Sequence, residues 1–195
     1  LDDVASLAHS KSSTRNLLAN LLATALEDIS RCGSPTAVLN RLEHVVARTR
    51  GPAALYRSLL ENAPLRHRLF TTLDTGELFA HRLGRYPELL DFLIPATIPS
   101  ETFRPIVVEA FAGIDRSDSG AASDAFRRVK AIEEFKVLVE WTNTRSVPAL
   151  TEKLSLLADT ALTWAAEHAL AEIRGDDRAA GGDVGRWVIL ALGKL

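Results

Sequence analysis

The sequence predicts a mainly α fold, a helical array that ends in a single strand. Apolar residues recur at helical spacing through nearly all of the first 173 positions, and glycine and proline punctuate the gaps between those stretches. One short run of aromatic and β-branched residues, 187–192, stands apart at the end and favours an extended chain.

Leu18, Leu21, Leu22, Ala25, Leu26 and Ile29 trace one stripe of the first helix. Gly33 closes it, and Ser34-Pro35 opens the next with a capping side chain and a proline at the first helical position. Val38, Leu42, Val45 and Val46 form the apolar face of that second helix, which stops before Gly51-Pro52. Breakers then divide the chain into shorter pieces at 53–62, 65–72 and 75–84. Pro87 starts another piece carrying Leu89, Leu90, Phe92 and Leu93, ended by Pro95 and Pro99, and a helix over 101–112 follows. Residues 113–123 are small and polar and read as a surface loop. A long helix over 123–141 places Ala125, Val129, Ile132, Phe135 and Val139 on one side. Ser146 caps the last helix, whose face runs through Leu150, Leu154, Leu157, Ala161, Trp164 and His168 to about residue 173. Glycines and aspartates make 175–186 a linker by composition. Neither a defensible repeat nor a sustained heptad pattern is present, which leaves a globular array rather than a solenoid or coiled coil.

The 195 residues suffice for one good-sized domain, or one domain and the start of another, and 47% hydrophobic content is ample for a core. A formal charge of −2 gives no electrostatic case for nucleic acid or an anionic membrane. The lone Cys32 excludes an internal disulfide and a cysteine metal cage, and fits a reducing cytoplasm. No apolar run approaches the roughly 20 residues of a membrane span, and the first residues do not form a signal peptide. The chain contains no methionine, which predicts that it belongs to a longer translation product. The terminal strand predicts the same, because a buried strand needs partner strands and none is legible upstream.

Gly193-Lys194 after a strand suggests a phosphate loop, but Val188 stands where that loop needs its first glycine and Leu195 where it needs Ser or Thr. What remains is a strand-to-glycine turn, which either lets a nucleotide approach the backbone or merely turns the chain. His9, His44, His67, His81 and His168 show no zinc-helix spacing and read as surface or core residues, with His168 on an apolar face. The acidic pairs are Asp2-Asp3, Glu133-Glu134 and Asp176-Asp177. Neighbours on a helix point about 100° apart, so Glu133 and Glu134 do not readily share a metal. Arg127, Arg128, Lys130 and Lys136 form a basic set that either faces an anionic ligand or partner, or is a solvated face offset by Glu133, Glu134 and Glu140.

Several segments, in order, resemble the glutamine-synthetase (glutamate–ammonia ligase) adenylyltransferase family. Arg186-Trp187-Val188-Ile189-Leu190-Ala191-Leu192-Gly193-Lys194-Leu195 is similar to the strand that opens the family's nucleotidyltransferase domain. Leu154-Ser155-Leu156-Leu157-Ala158-Asp159 resembles its "LSxLAD" helix, and Phe126-Arg127-Arg128-Val129-Lys130 with Phe135-Lys136-Val137 its "LRRFK…LRI" helix. Leu59-Leu60-Glu61-Asn62-Ala63-Pro64 resembles "LLxENP", and Leu83 to Asp91 resembles "LARHPELLD". Lys136 stands where the family has arginine, and Trp141-Thr142 where "DL" often follows.

The resemblance implies a helical array ending in the first strand of a truncated α/β, polymerase-β-like nucleotidyltransferase domain. Residues 1–50 would be a helical junction, 51–174 the helical lead-in of a module (the second of the family's two), 175–186 a linker and 187–195 the first strand. Such enzymes transfer AMP from ATP to a tyrosine of glutamine synthetase and remove it by phosphorolysis, which regulates nitrogen assimilation. Carboxylates hold two magnesium ions that align the hydroxyl with the α-phosphate and neutralise the leaving pyrophosphate. Those carboxylates belong to a segment after Gly-Lys-Leu, so the resemblance assigns no catalytic residue and no metal ligand to this chain, leaves Gly193 and Lys194 as lining of the nucleotide pocket, and predicts no transferase activity for these 195 residues alone. The implied partners are glutamine synthetase and a PII-type signalling protein. The alternative is a non-catalytic helical module that binds one of these.

Overall fold

A computed structural model describes residues 2–49, 51–93 and 99–177. Eight α-helices and one 3-10 helix account for nearly all of them: α1 (Asp2–Ser30), α2 (Pro35–Arg48), α3 (Pro52–Glu61), α4 (Ala63–Thr75), α5 (Glu77–Arg85), the 3-10 helix Pro87–Phe92, α6 (Ser100–Ala112), α7 (Ser119–Thr144) and α8 (Val147–Asp177). The described residues are mainly helical and contain no strand. The predicted strand at 187–192 lies outside them. Of the predicted linker, 175–177 belong to α8 and the rest lies outside the described residues.

Two apolar clusters form the interior. The first gathers α1 to α5 and the 3-10 helix around Leu21, Leu59, Phe70, Leu83 and Leu89. The second gathers α6 and α8 around Phe103, Phe111, Leu157 and Trp164. α7 belongs to both. Its Phe135 and Val139 enter the first cluster, and its Ala122 and Val137 the second. The single face predicted for this helix is therefore divided: Ile132, Phe135 and Val139 pack on one side, Ala125 and Val129 on the other. A helix sandwiched between two layers must be apolar on both faces, and a one-sided pattern does not capture it.

Local corrections follow from side chains distant in sequence. Leu26, assigned to the stripe of α1, is 65% exposed, whereas Leu21, Ala25 and Ile29, four apart, are buried. Ser34 makes no side-chain cap of α2. The Asp74 carboxylate, on α4, instead accepts the backbone N–H groups of Gly33 at 2.9 Å and Ser34 at 3.2 Å. Arg41 of α2 answers by donating to the Leu73 carbonyl at 2.6 Å, near the end of α4. Each helix thus supplies polar partners at the other's terminus. Asp74→Ala removes this borrowed cap and is expected to cost about 1–2 kcal/mol of stability. Urea unfolding measures it, with Ser34→Ala close to wild type; the reverse ranking would place the cap on Ser34.

α7 begins earlier than composition suggests. Asp118 accepts the Ala121 N–H at 2.8 Å, so the loop shrinks and Ala122 reaches the core. Arg145 ends the helix with φ 51°, a left-handed residue whose N–H bonds to the Trp141 carbonyl. Ser146 then accepts the Ala149 N–H at a long 3.4 Å.

Candidate functional site

Gly193 and Lys194, the predicted nucleotide-lining residues, lie outside the described residues, as does the turn that would present them. Among the described residues, no group of three or more His, Cys, Asp and Glu side chains is placed to hold a metal ion.

The basic set of α7 is tied up in ion pairs of unequal strength. Arg128 reaches Glu88 at 2.7 Å, linking α7 to the 3-10 helix. Lys136 pairs with the buried Glu133 at 2.6 Å and lies 4.5 Å over the Phe92 ring. Lys130 stands 3.5 Å from Glu134, and Arg127 pairs with Asp124 at 2.8 Å. Glu133 and Glu134 offset this face as composition suggested, but Glu140 does not. It turns to α8 and accepts the Lys153 ammonium on both oxygens at 2.7 Å.

The histidines divide by setting. His44 and His81 bring their rings to 6.0 Å, with the Arg48 Nη1 2.9 Å from both ring nitrogens of His44. His67 and Arg66 both approach the Asp28 carboxylate, at 3.2 and 2.9 Å. Burial alone would raise the Asp28 carboxyl, but hydrogen bonds and charge from Arg66 and His67 outweigh it and hold it below its ordinary value. His168 is buried and stacks on Trp164 at 4.9 Å. Burial, then the charges of Asp74 and Asp28, push the Cys32 thiol up and away from thiolate.

Three concavities flank α5, one of them a pocket of about 310 Å³ against α2 beside His44 and His81. A cleft of about 930 Å³ opens between the end of α2, α3 and the 3-10 helix, with Leu55, Leu65 and Leu90 lining it beside Arg48, Glu88 and Arg128. A smaller pocket of about 290 Å³ lies between α5 and α7 and is lined by His81, Arg82, Arg85, Tyr86, Arg127 and Lys130. The sequence offers Arg85 only within the Leu83 to Asp91 motif and gives neither it nor Arg82 a binding role. Their spacing of three puts them on one side of α5, but only packing brings that side against α7.

This helical array, in the order the motifs suggested, has a counterpart. The chain is similar to a bifunctional glutamine synthetase adenylyltransferase/adenylyl-removing enzyme from Caulobacter vibrioides. The two are 26% identical over 181 residues, which is 92% of this chain and 18% of that enzyme. The chain thus spans under a fifth of the length of the curated relative it matches. No protein-family model matches the chain, and no solved structure does. The similarity supports the family resemblance of the motifs without distinguishing between the modules of such an enzyme. No helix among the described residues is long and apolar enough to cross a membrane.

Proposed function

We propose that this chain is the helical part of an adenylyltransferase of the glutamine-synthetase type, where it supports and flanks a nucleotidyltransferase active site. The supporting observation is the similarity over 92% of the chain to an enzyme named for that activity. In the intact protein, the strand ending at Gly193-Lys194 lines the nucleotide pocket, and ATP and magnesium are used beyond it. The helices belong to the second module, the one that attaches AMP. They hold the catalytic domain and contribute to recognition of glutamine synthetase.

The 195 residues contain no Asp-x-Asp pair of the kind that would hold two metals. The chain alone is therefore expected to transfer no AMP to glutamine synthetase from labelled ATP with magnesium. The coding sequence after Leu195 is expected to continue with Gly-Gly and soon Asp-x-Asp. Measurable transfer by the chain, or a stop codon directly after Leu195, would overturn the proposal.

The cleft beside α5, lined by leucines and by charged side chains, supports a second reading: a non-catalytic module that binds glutamine synthetase or a PII-type protein. Co-sedimentation with each purified partner separates the two candidates, and binding to neither counts against this reading.

A further inference from the structure

We propose that the pocket between α5 and α7 is a binding site for a phosphate dianion, carried either by free phosphate or by a small phosphate monoester. Four fixed cations line it: Arg82, Arg85, Arg127 and Lys130. Two carboxylates answer them. Glu134 is shared by Arg82 at 2.6 Å and Lys130 at 3.5 Å, and Asp124 meets Arg127 at 2.8 Å. Arg85 has no carboxylate partner within salt-bridge distance among the described residues; its guanidinium rests 5.5 Å from the Tyr86 ring centre. The pocket therefore carries an excess of about two positive charges in a chain whose formal charge is −2.

The cations differ in how firmly they are held. Arg82 is about four-fifths buried with Glu134 and is a structural strut. Arg127 and Asp124 are 63% and 83% exposed, so their pairing is worth little and leaves the guanidinium free to turn. Arg127 and Arg85 thus offer two planar donor forks from facing helices, matched to a tetrahedral oxyanion that accepts bidentate hydrogen bonds. A phosphate carries close to two negative charges at neutral pH, which matches the excess. A volume of about 290 Å³ admits phosphate and a small organic remainder. The larger cleft, which Arg85 also borders together with Arg48, is less suited, because Glu88 takes Arg128 at 2.7 Å and Asp91 also lines it. This site does not depend on the proposed relation to adenylyltransferases, since it rests on charge and geometry alone.

Isothermal titration of the 195-residue chain at low ionic strength tests it, with inorganic phosphate, glycerol 3-phosphate and citrate as probes. One phosphate per chain is expected to bind saturably. The double variant Arg85→Gln/Arg127→Gln should weaken binding roughly a hundredfold, about tenfold for each charged donor removed. Its circular dichroism should be unchanged, because neither side chain is a buried strut. Arg116→Gln, which pairs with Glu167 over Trp164 away from the pocket, should bind like wild type. Tighter binding of glycerol 3-phosphate than phosphate assigns the site to esters, and equal or weaker binding to free phosphate. Absence of saturable binding, undiminished binding by the folded double variant, or citrate binding as tightly as phosphate would each overturn the proposal.

Discussion

Lys153→Met is expected to destabilise the protein by about 3 kcal/mol, the cost of leaving a carboxylate unpaired inside a fold. Lys153 is only 3% exposed, and its ammonium meets both oxygens of Glu140, itself largely buried. The same ammonium lies 5.7 Å from the Phe103 ring centre, so it sits where α6, α7 and α8 converge. Removing the cation strands the Glu140 charge away from water. Removing both charges relieves that penalty, because a buried ion pair gains little over well-packed apolar side chains. Glu140→Leu/Lys153→Met should therefore unfold in urea within about 1 kcal/mol of wild type. If the single substitution cost no more than the double one, the pair would not be energetically coupled, and the buried lysine would need another explanation.

Phe135→Ala is expected to cost about 3–5 kcal/mol, the range for truncating a large buried aromatic side chain. Phe135 is fully buried and meets Phe79 edge to face at 5.9 Å, fastening α7 to α5. In a domain of this size, that loss lowers Tm by roughly 10 °C. The consequence should extend beyond the first cluster. Val137, two residues on, belongs to the second cluster, so the helix that Phe135 anchors also forms the wall against which α6 and α8 pack. In a Trp141→Phe/Trp187→Phe background, Trp164 fluorescence reports the second cluster alone. Its transition should shift with the circular dichroism transition. A Trp164 transition that stayed at the wild-type position while the helical signal fell earlier would mean that the clusters unfold separately.

Most helices were legible because their signals are local. Gly33, Pro35, Pro52, Pro87 and Pro99 stand next to helix ends, since each restricts or frees its own backbone. The face of α8 through Leu157, Ala161, Trp164 and His168 was also legible, because α6 and α7 pack against one continuous stripe of it. Lys153 lies four residues before Leu157 on that stripe, where a charged side chain is not an obvious core residue. Its ion pair with Glu140 on the adjacent helix helps make its burial tolerable. The start of α7 was misplaced for a similar reason: small polar residues suggest a loop until Asp118 caps them into a helix.

The candidate site was less legible. Arg127 and Lys130 were recognised as half of an ambiguous basic face, and Arg82 and Arg85 were given no binding role. The pocket exists because α5 and α7, whose participating residues are more than forty positions apart, pack side by side. By itself the sequence determined that this protein is a helical array, where most of its helices fall and which family it resembles. The tertiary structure alone decided that α7 serves two cores, that Asp74 caps α2 from forty residues away, that Lys153 is buried, and that cations from two helices face one pocket. Helix formation and termination are governed by neighbours in the chain, whereas burial and charge pairing depend on neighbours in space.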